Sequence, residues 1–303
     1  MRESKKGFTL IEMIFVIAVT GVIAGMTFIQ ISQIYESLIQ KNYSSEIQNE
    51  ASVVSEQIVS RLSGAFKNSL AAADSTGGGG CKGLSDLTAG ESKNVLMWVA
   101  KSDESERGVW DANRSTYIGW SGVASNDGSK TFTTPASNME SVESIIDSLI
   151  EETGSLSQNS KSPVALYFHM GGEYITETGK VCDNFYNDGS DEFVLHQIKR
   201  EGVGKITLLS NKNRSEINRY SITHAAYAIE KKENGDLWLY TFRPWLSEKP
   251  SSGAQDNGKK FLLARNVSQF GFKYDGGLFR INICLSKTVN GFKLEGCKER
   301  VVF

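Results

Sequence analysis

A chain of 303 residues, 40% hydrophobic and 22% charged, has enough apolar material for a folded domain. Its net charge of -2 offers no basic excess with which to hold nucleic acid or an anionic membrane surface. Twenty-nine glycines against four prolines, with many Ser and Asn, point to a β-rich body with many turns. The mean hydropathy of -0.27 conceals an asymmetry, because nearly all the strong hydrophobicity lies in one N-terminal block.

That block begins at Phe8. From Met13 to Ile29 run 17 residues without a charge, and with Phe8 to Ile11 the stretch reaches about 20 residues, enough for one transmembrane helix. Arg2, Glu3, Lys5 and Lys6 precede it with a net charge of +2, so the N-terminus is expected to stay cytoplasmic and the remainder to lie outside. An ordinary signal peptide would end its apolar core at a small-residue cleavage site. Here the core runs instead into Gln30, Ser32 and Gln33 and a long amphipathic pattern.

Glu12 lies inside the apolar block. A carboxylate there costs on the order of 2–3 kcal/mol at the bilayer centre and less near the interface, so it calls for a partner. The block holds no Lys or Arg. An α-amine freed by a cut just before Phe8 could serve.

The run Lys5-Lys6-Gly7-Phe8-Thr9-Leu10-Ile11-Glu12-Met13 resembles the leader and cleavage motif of type IV pilins and type II secretion pseudopilins. The resemblance covers the first 30 residues or so closely and the rest only in general layout. It implies that residues 1–7 are a leader, that prepilin peptidase cuts between Gly7 and Phe8, and that the new amine of Phe8 is N-methylated. It also implies that Glu12 neutralises such an amine when subunits dock, replacing two unpaired charges in low dielectric by a pair. Many family members carry a proline where this chain has Ile29, so the local helix break of those relatives is not expected to carry over. The implied fold is α+β and pilin-like: a long N-terminal helix packed on a C-terminal antiparallel sheet.

The elements in chain order fit that expectation. Residues 8–31 form the membrane or filament-core part of the helix. Within it Gly21 and Gly25 have the Gly-x-x-x-Gly spacing that permits close helix packing, although glycines also loosen a helix. Ile31, Ile34, Leu38, Tyr43, Ile47, Val54, Ile58, Leu62 and Phe66 recur at mostly three- and four-residue steps, predicting an amphipathic continuation over 32–73. The helix from Phe8 to Phe66 would span roughly 90 Å before the Ser75–Gly80 run ends it. Residues 74–220 read as an irregular α/β insertion. Its predicted strands are 94–100, 115–123, 164–169 and 193–198, and its helix 139–152. Residues 221–303 read as antiparallel sheet, with hairpins 224–231/237–243 about Asn234-Gly235 and 261–274/278–285, and a last strand after Asn290-Gly291.

A two-residue turn at Asn290-Gly291 places Cys284 opposite Cys297. Five steps from the first hydrogen-bonded pair this is a non-hydrogen-bonded site, where Cα atoms approach to about 4.5 Å, within disulfide reach. The same register sets Lys298 and Arg300 opposite Ile283 and Ile281, which a bulge would relieve. Cys81 and Cys182 then pair by elimination. Disulfides suit an oxidising compartment; no Cys-x-x-Cys spacing supports a metal site instead. Asp183, Asn187, Asp188, Asp191 and Glu192 form an oxygen-rich loop that could hold Ca²⁺, but their spacing is not that of an EF-hand and a solvated turn is the competing reading. His169, His196 and His224 are scattered, and no nucleophile motif is present, so neither an enzyme nor a cofactor is expected. Asp111-Ala112-Asn113-Arg114-Ser115 resembles the extended acidic sequon of some bacterial N-glycosylation systems; a chance match in a polar loop is the alternative.

These readings converge on a structural subunit. Its expected partners are prepilin peptidase, other pilin or pseudopilin subunits and the inner-membrane assembly platform, with no nucleic acid. Its expected location is the bacterial inner membrane, single-pass, with a periplasmic or extracellular head that joins a filament. Size and the 74–220 insertion suggest a minor subunit serving secretion, DNA uptake or motility. The competing reading is an adhesin-like pilin that binds a surface, glycan or DNA through residues 81–220, with Trp110, Trp120 and Trp245 as exposed aromatics.

Overall fold

One helix dominates the architecture: α1 runs unbroken from Leu10 to Ser63, 54 residues or about 80 Å. Thr9 caps its start and Gly64 its end. It is continuous through Ile29, where no proline interrupts the hydrogen-bond ladder. The structure, a computed structural model, describes residues 9–87, 92–106, 110–113, 115–126, 129–157, 162–170, 173–174, 181–186, 195–209, 219–250, 258–275, 278–289 and 291–303.

After α1 come β1 (Ala71–Ala73), β2 (Lys82–Gly83), β3 (Val95–Ala100), β4 (Trp110–Asp111), β5 (Thr116–Tyr117), β6 (Ser125–Asn126) and β7 (Thr131–Thr133). Helix α2 (Met139–Ile150) precedes β8 (Ala165–Met170), β9 (Glu173–Tyr174), β10 (Leu195–Gly202), β11 (Lys205–Leu208) and β12 (Arg219–Thr223). The chain ends in β13 (Ala225–Lys231), β14 (Leu237–Phe242), β15 (Lys259–Ala264), β16 (Val267–Asp275), β17 (Leu278–Val289) and β18 (Phe292–Val301).

These strands build a six-stranded antiparallel sheet in the order β15-β14-β13-β3-β1-β2, and a three-stranded sheet β16-β17-β18. A seven-stranded sheet follows the order β12-β8-β10-β11-β7-β6, with β9 on β8. The six-stranded sheet is covered on both faces. Every residue of its strand Val-Leu-Met-Trp-Val-Ala is buried, as expected of an unbroken apolar run. Leu96 and Trp98 face a core shared with α1 and the three-stranded sheet. Val95, Met97 and Val99 face a second core that takes Tyr167 and Leu195 from the seven-stranded sheet. A third core lies under α2, where Val142 and Ile146 meet Phe132, Phe168 and Ile206.

Helix α1 is tied to the head by Ile47, Ala51, Val54, Ile58 and Leu62, all 4% exposed or less and spaced by three or four residues. A buried Val, Leu or Ile side chain contributes about 1.5–3 kcal/mol. Strand β18 comes close to this helix at Gly296, where a Cβ would stand 2.9 Å from Ile47 Cγ2 and 3.1 Å from the Gln48 backbone nitrogen.

Several expected boundaries are corrected. α1 stops at Ser63 rather than at Phe66, and residues 71–73, placed in the helix continuation, are strand β1. The Ser69 hydroxyl accepts a bond from the Val99 N–H at 2.9 Å, which draws the chain towards β3 instead. The strand expected over 115–123 shrinks to β5, because Ser115, Gly119 and Gly122 all take positive φ and turn the chain. The single strand expected over 261–274 is two strands in different sheets. The chain switches at Arg265-Asn266, where Asn266 sits at φ 57 and the Val267 N–H donates to the Gly235 carbonyl at 2.8 Å. Asn tolerates this left-handed geometry. The two C-terminal hairpins consequently belong to two sheets, one on each side of that switch.

Candidate functional site

The sequence concentrates its unusual chemistry at the start of α1. Thr9 has extended backbone angles, φ -79 and ψ 150, as an N-cap residue should. Its N–H donates to Glu12 Oε2 at 3.1 Å and its hydroxyl to the same oxygen at 2.9 Å. The Glu12 N–H donates back to Thr9 Oγ1 at 3.4 Å. The pair forms a capping box, which satisfies two of the helix's orphan donors reciprocally. Both bonds fall on Oε2, so the cap uses one of the two carboxylate oxygens and Glu12 can still accept from a cation. Thr9 was not singled out from sequence, although the Thr-x-x-Glu spacing was the signal for it. Gly7 and Phe8 lie outside the described residues.

Beyond this cap, α1 presents apolar side chains on all sides. Leu10, Phe15 and Phe28 are each more than 70% exposed. Between Leu10 and Tyr35 Glu12 is the single charged residue. The Thr20 and Thr27 hydroxyls fold back to donate to the Val16 and Ile23 carbonyls at 2.6 and 2.8 Å, so neither requires water. Gly21 and Gly25 share one face, and a Cβ on either would meet nothing within 4 Å. Such a segment is long and apolar enough to cross a membrane. A bare apolar surface of this size marks a segment made for lipid or for other helices.

The remaining expected sites separate as follows. Cys284 and Cys297 are bonded with Cα atoms 4.0 Å apart, and Cys81 is bonded to Cys182 with Cα atoms 6.0 Å apart. The β17–β18 register runs without a shift from Val289 opposite Phe292 to Arg280 opposite Val301, so no bulge relieves Lys298 and Arg300. The grouping of Cys284, Cys297 and Glu295 is no metal site, since both sulfurs are spent in the disulfide. In the acidic loop, Asn187, Asp188, Asp191 and Glu192 and the side chain of Asp183 lie outside the described residues. His196 is buried against Phe168, with ring centroids 5.6 Å apart. The side chain of His169 lies outside the described residues.

The expected exposure of Trp120 and Trp245 is corrected. They are 1% and 4% exposed. Trp120 packs on Tyr220 and its indole N–H donates to the Ser105 hydroxyl at 3.1 Å, while Trp245 belongs to the core behind the six-stranded sheet. The side chain of Trp110 lies outside the described residues. A cleft of about 550 Å³ between α1, the end of α2 and β13–β15 gathers His224, Arg61, Glu152, Arg243 and Glu248. Its charges are largely spent on one another: Arg243 donates to Glu152 at 2.7 Å and to Glu248 at 2.8 and 3.0 Å. Burial holds the His224 imidazole below its ordinary value, and its Nδ1 has no hydrogen-bond partner among the described residues.

Compared with known families, residues 2–28 match the prokaryotic N-terminal methylation motif. That segment holds the basic residues ahead of the helix, the Gly7-Phe8 junction, the Thr9–Glu12 cap and most of the bare apolar surface. No curated protein and no solved structure matches the chain.

Proposed function

We propose that this chain, which carries the N-terminal motif of the type IV pilin and pseudopilin family, is a minor structural subunit of a pilus-like or type II secretion filament. The observation that carries the reading is the coincidence, on one helix, of the methylation motif, a lone capped Glu12 and an apolar surface on which no other described residue packs. Prepilin peptidase removes residues 1–7 and the exposed amine of Phe8 is methylated. The helix stays in the inner membrane with the head outside until it is drawn into the filament core. There Glu12, through the oxygen its cap leaves unused, accepts the terminal amine of a neighbouring subunit, and the two charges enter low dielectric together. The assembly platform of the inner membrane is the remaining partner. The two disulfides support an oxidising compartment for the head. Four sheets among the described residues, one of them only the β4–β5 pair, and a second helix beyond α1 support a specialised rather than a repeating subunit.

The adhesin-like reading of residues 81–220 loses two of its three aromatic supports to the core. The test of the main reading uses two variants. Replacing Gly7 by a bulky residue is expected to block leader removal, read as an unshifted band on a gel. Glu12→Ala is expected to be processed normally yet absent from sheared filaments. Normal processing of the first, or wild-type incorporation of the second, refutes the reading.

A further inference from the structure

We infer that Asn113 is a site of N-glycosylation, receiving an oligosaccharide from a polyprenyl-diphosphate donor. The sequence contains four Asn-x-Ser triplets, beginning at Asn42, Asn113, Asn213 and Asn266, the tripeptide that accepts N-linked sugar when x is not proline. Two residues before these asparagines stand Gln40, Asp111, Asn211 and Ala264 respectively, so the acidic extension belongs to Asn113 alone.

The fold sorts the same triplets independently. Asn42 lies in the middle of α1, where every backbone group is committed to the helix and the triplet cannot be drawn into another enzyme's site without breaking it. Asn213 lies outside the described residues. Asn266 is exposed at the sheet switch but follows Ala264. Asn113 is exposed in the turn between β4 and β5, and Ser115 beside it is exposed with φ 49. The ladder beneath is only two pairs long, Trp110 opposite Tyr117 and Asp111 opposite Thr116. A turn held by so short a ladder opens locally at small free-energy cost, as loop tips do. Asn113 and Ser115, the two residues that define the acceptor, thus sit on an outward turn that a modifying enzyme can grip.

In the transfer, the Asn113 side-chain nitrogen forms a bond to C1 of the first sugar while the bond from C1 to the diphosphate oxygen breaks. The polyprenyl diphosphate leaves with that electron pair, and the amide gives up one proton to a base of the transferase. The inference rests on the proposed extracytoplasmic placement of the head, because donor and acceptor must meet on that side.

The test is the intact mass, and the peptide masses, of the full chain purified from the cells that encode it. One oligosaccharide on the peptide containing Asn113 is expected, lost in Asn113→Gln and in Asp111→Ala and kept in Asn266→Gln. Asp111→Ala leaves the Asn-Arg-Ser triplet intact, and formation of both disulfides in that variant shows that it folds. An unmodified Asn113 peptide, or sugar that persists in Asn113→Gln, overturns the inference. The same spectrum separates it from the functional reading: a chain with its leader removed and no sugar overturns glycosylation alone, whereas a chain that keeps residues 1–7 yet carries the sugar on Asn113 overturns the functional reading alone.

Discussion

Replacing Gly296 by Ala tests whether β18 is pressed against α1 as tightly as the distances say. The new methyl would lie 2.9 Å from Ile47 Cγ2 and 3.1 Å from the Gln48 backbone nitrogen. Neither neighbour yields easily. Cγ2 sits on a β-branched carbon whose rotamer is nearly fixed in a helix, and the nitrogen belongs to the helix backbone. Overpacking of this kind costs about 1–3 kcal/mol, set against about 0.5–1 kcal/mol gained because alanine has less freedom than glycine in the unfolded chain. The expected net loss is about 1–2 kcal/mol. It is measured from urea unfolding of the detergent-solubilised full chain, followed by tryptophan fluorescence, since Trp98 shares the core with Ile47. In an Ile47→Ala background the Cγ2 contact is gone, so the second substitution should cost less there. A midpoint that is unchanged or raised in Gly296→Ala, or a cost that is the same in both backgrounds, would refute the close-approach reasoning.

Three further outcomes follow from the same packing. Cys81 and Cys182 are 101 residues apart and Cys284 and Cys297 only 13; loop-closure entropy assigns them about 4.7 and 3 kcal/mol. The Cys81→Ala/Cys182→Ala pair should therefore lower the urea midpoint more than Cys284→Ala/Cys297→Ala, and the reverse order would count against the entropic account. Glu143 accepts bonds from the Leu156 N–H at 3.0 Å, the Ser157 hydroxyl at 2.7 Å and Arg200 Nε at 2.9 Å. Glu143→Leu should cost about 2–3 kcal/mol, tempered because Arg200 keeps Glu140, and denaturation curves of the two proteins check it. Burial lowers the His224 pKa, with Glu104 opposing. The unfolded chain therefore takes up a proton at about pH 6.5 that the folded chain refuses. Stability should fall as pH drops below that value and level off below the folded pKa, and His224→Gln should remove this component of the pH profile.

What the sequence made legible was whatever leaves a local mark. The hairpin of β13 and β14 shows as two apolar runs about Asn234-Gly235, and the Cys284–Cys297 pairing follows from the register that Asn290-Gly291 imposes. Helix α2 shows in Val142, Ile145, Ile146 and Leu149 at helical steps. Partnership between distant segments left no such mark. Nothing around Val95–Ala100 says that this strand inserts between β1 and β13. The change of sheet at Asn266 breaks no periodicity, because β15 and β16 are both apolar on either side of it. Trp120 and Trp245 stand in stretches without a period, so no face could be assigned to them, and their burial is settled by strands far away in the chain. At the helix start the Glu12 charge drew the eye, while the ordinary-looking Thr9 supplies its cap.

From Leu10 to Leu38 every side chain of α1 is exposed, a length of about 43 Å; beyond it Ile39 and Tyr43 are partly buried and Lys287 Nζ lies 4.8 Å over the Tyr43 ring. A bilayer's hydrocarbon core accounts for about 30 Å of the exposed length, so a solitary anchored subunit would hold its head on a boom about 13 Å long. Along that boom Ile31, Ile34 and Leu38 are each more than half exposed. Inside lipid an apolar side chain gains little hydrophobic drive by trading tails for another helix; above the headgroups the same trade removes it from water and is favourable. The boom rather than the membrane-embedded turns thus carries the hydrophobic drive for helices to gather. For a lone anchored subunit those side chains would stay in water until another helix covered them.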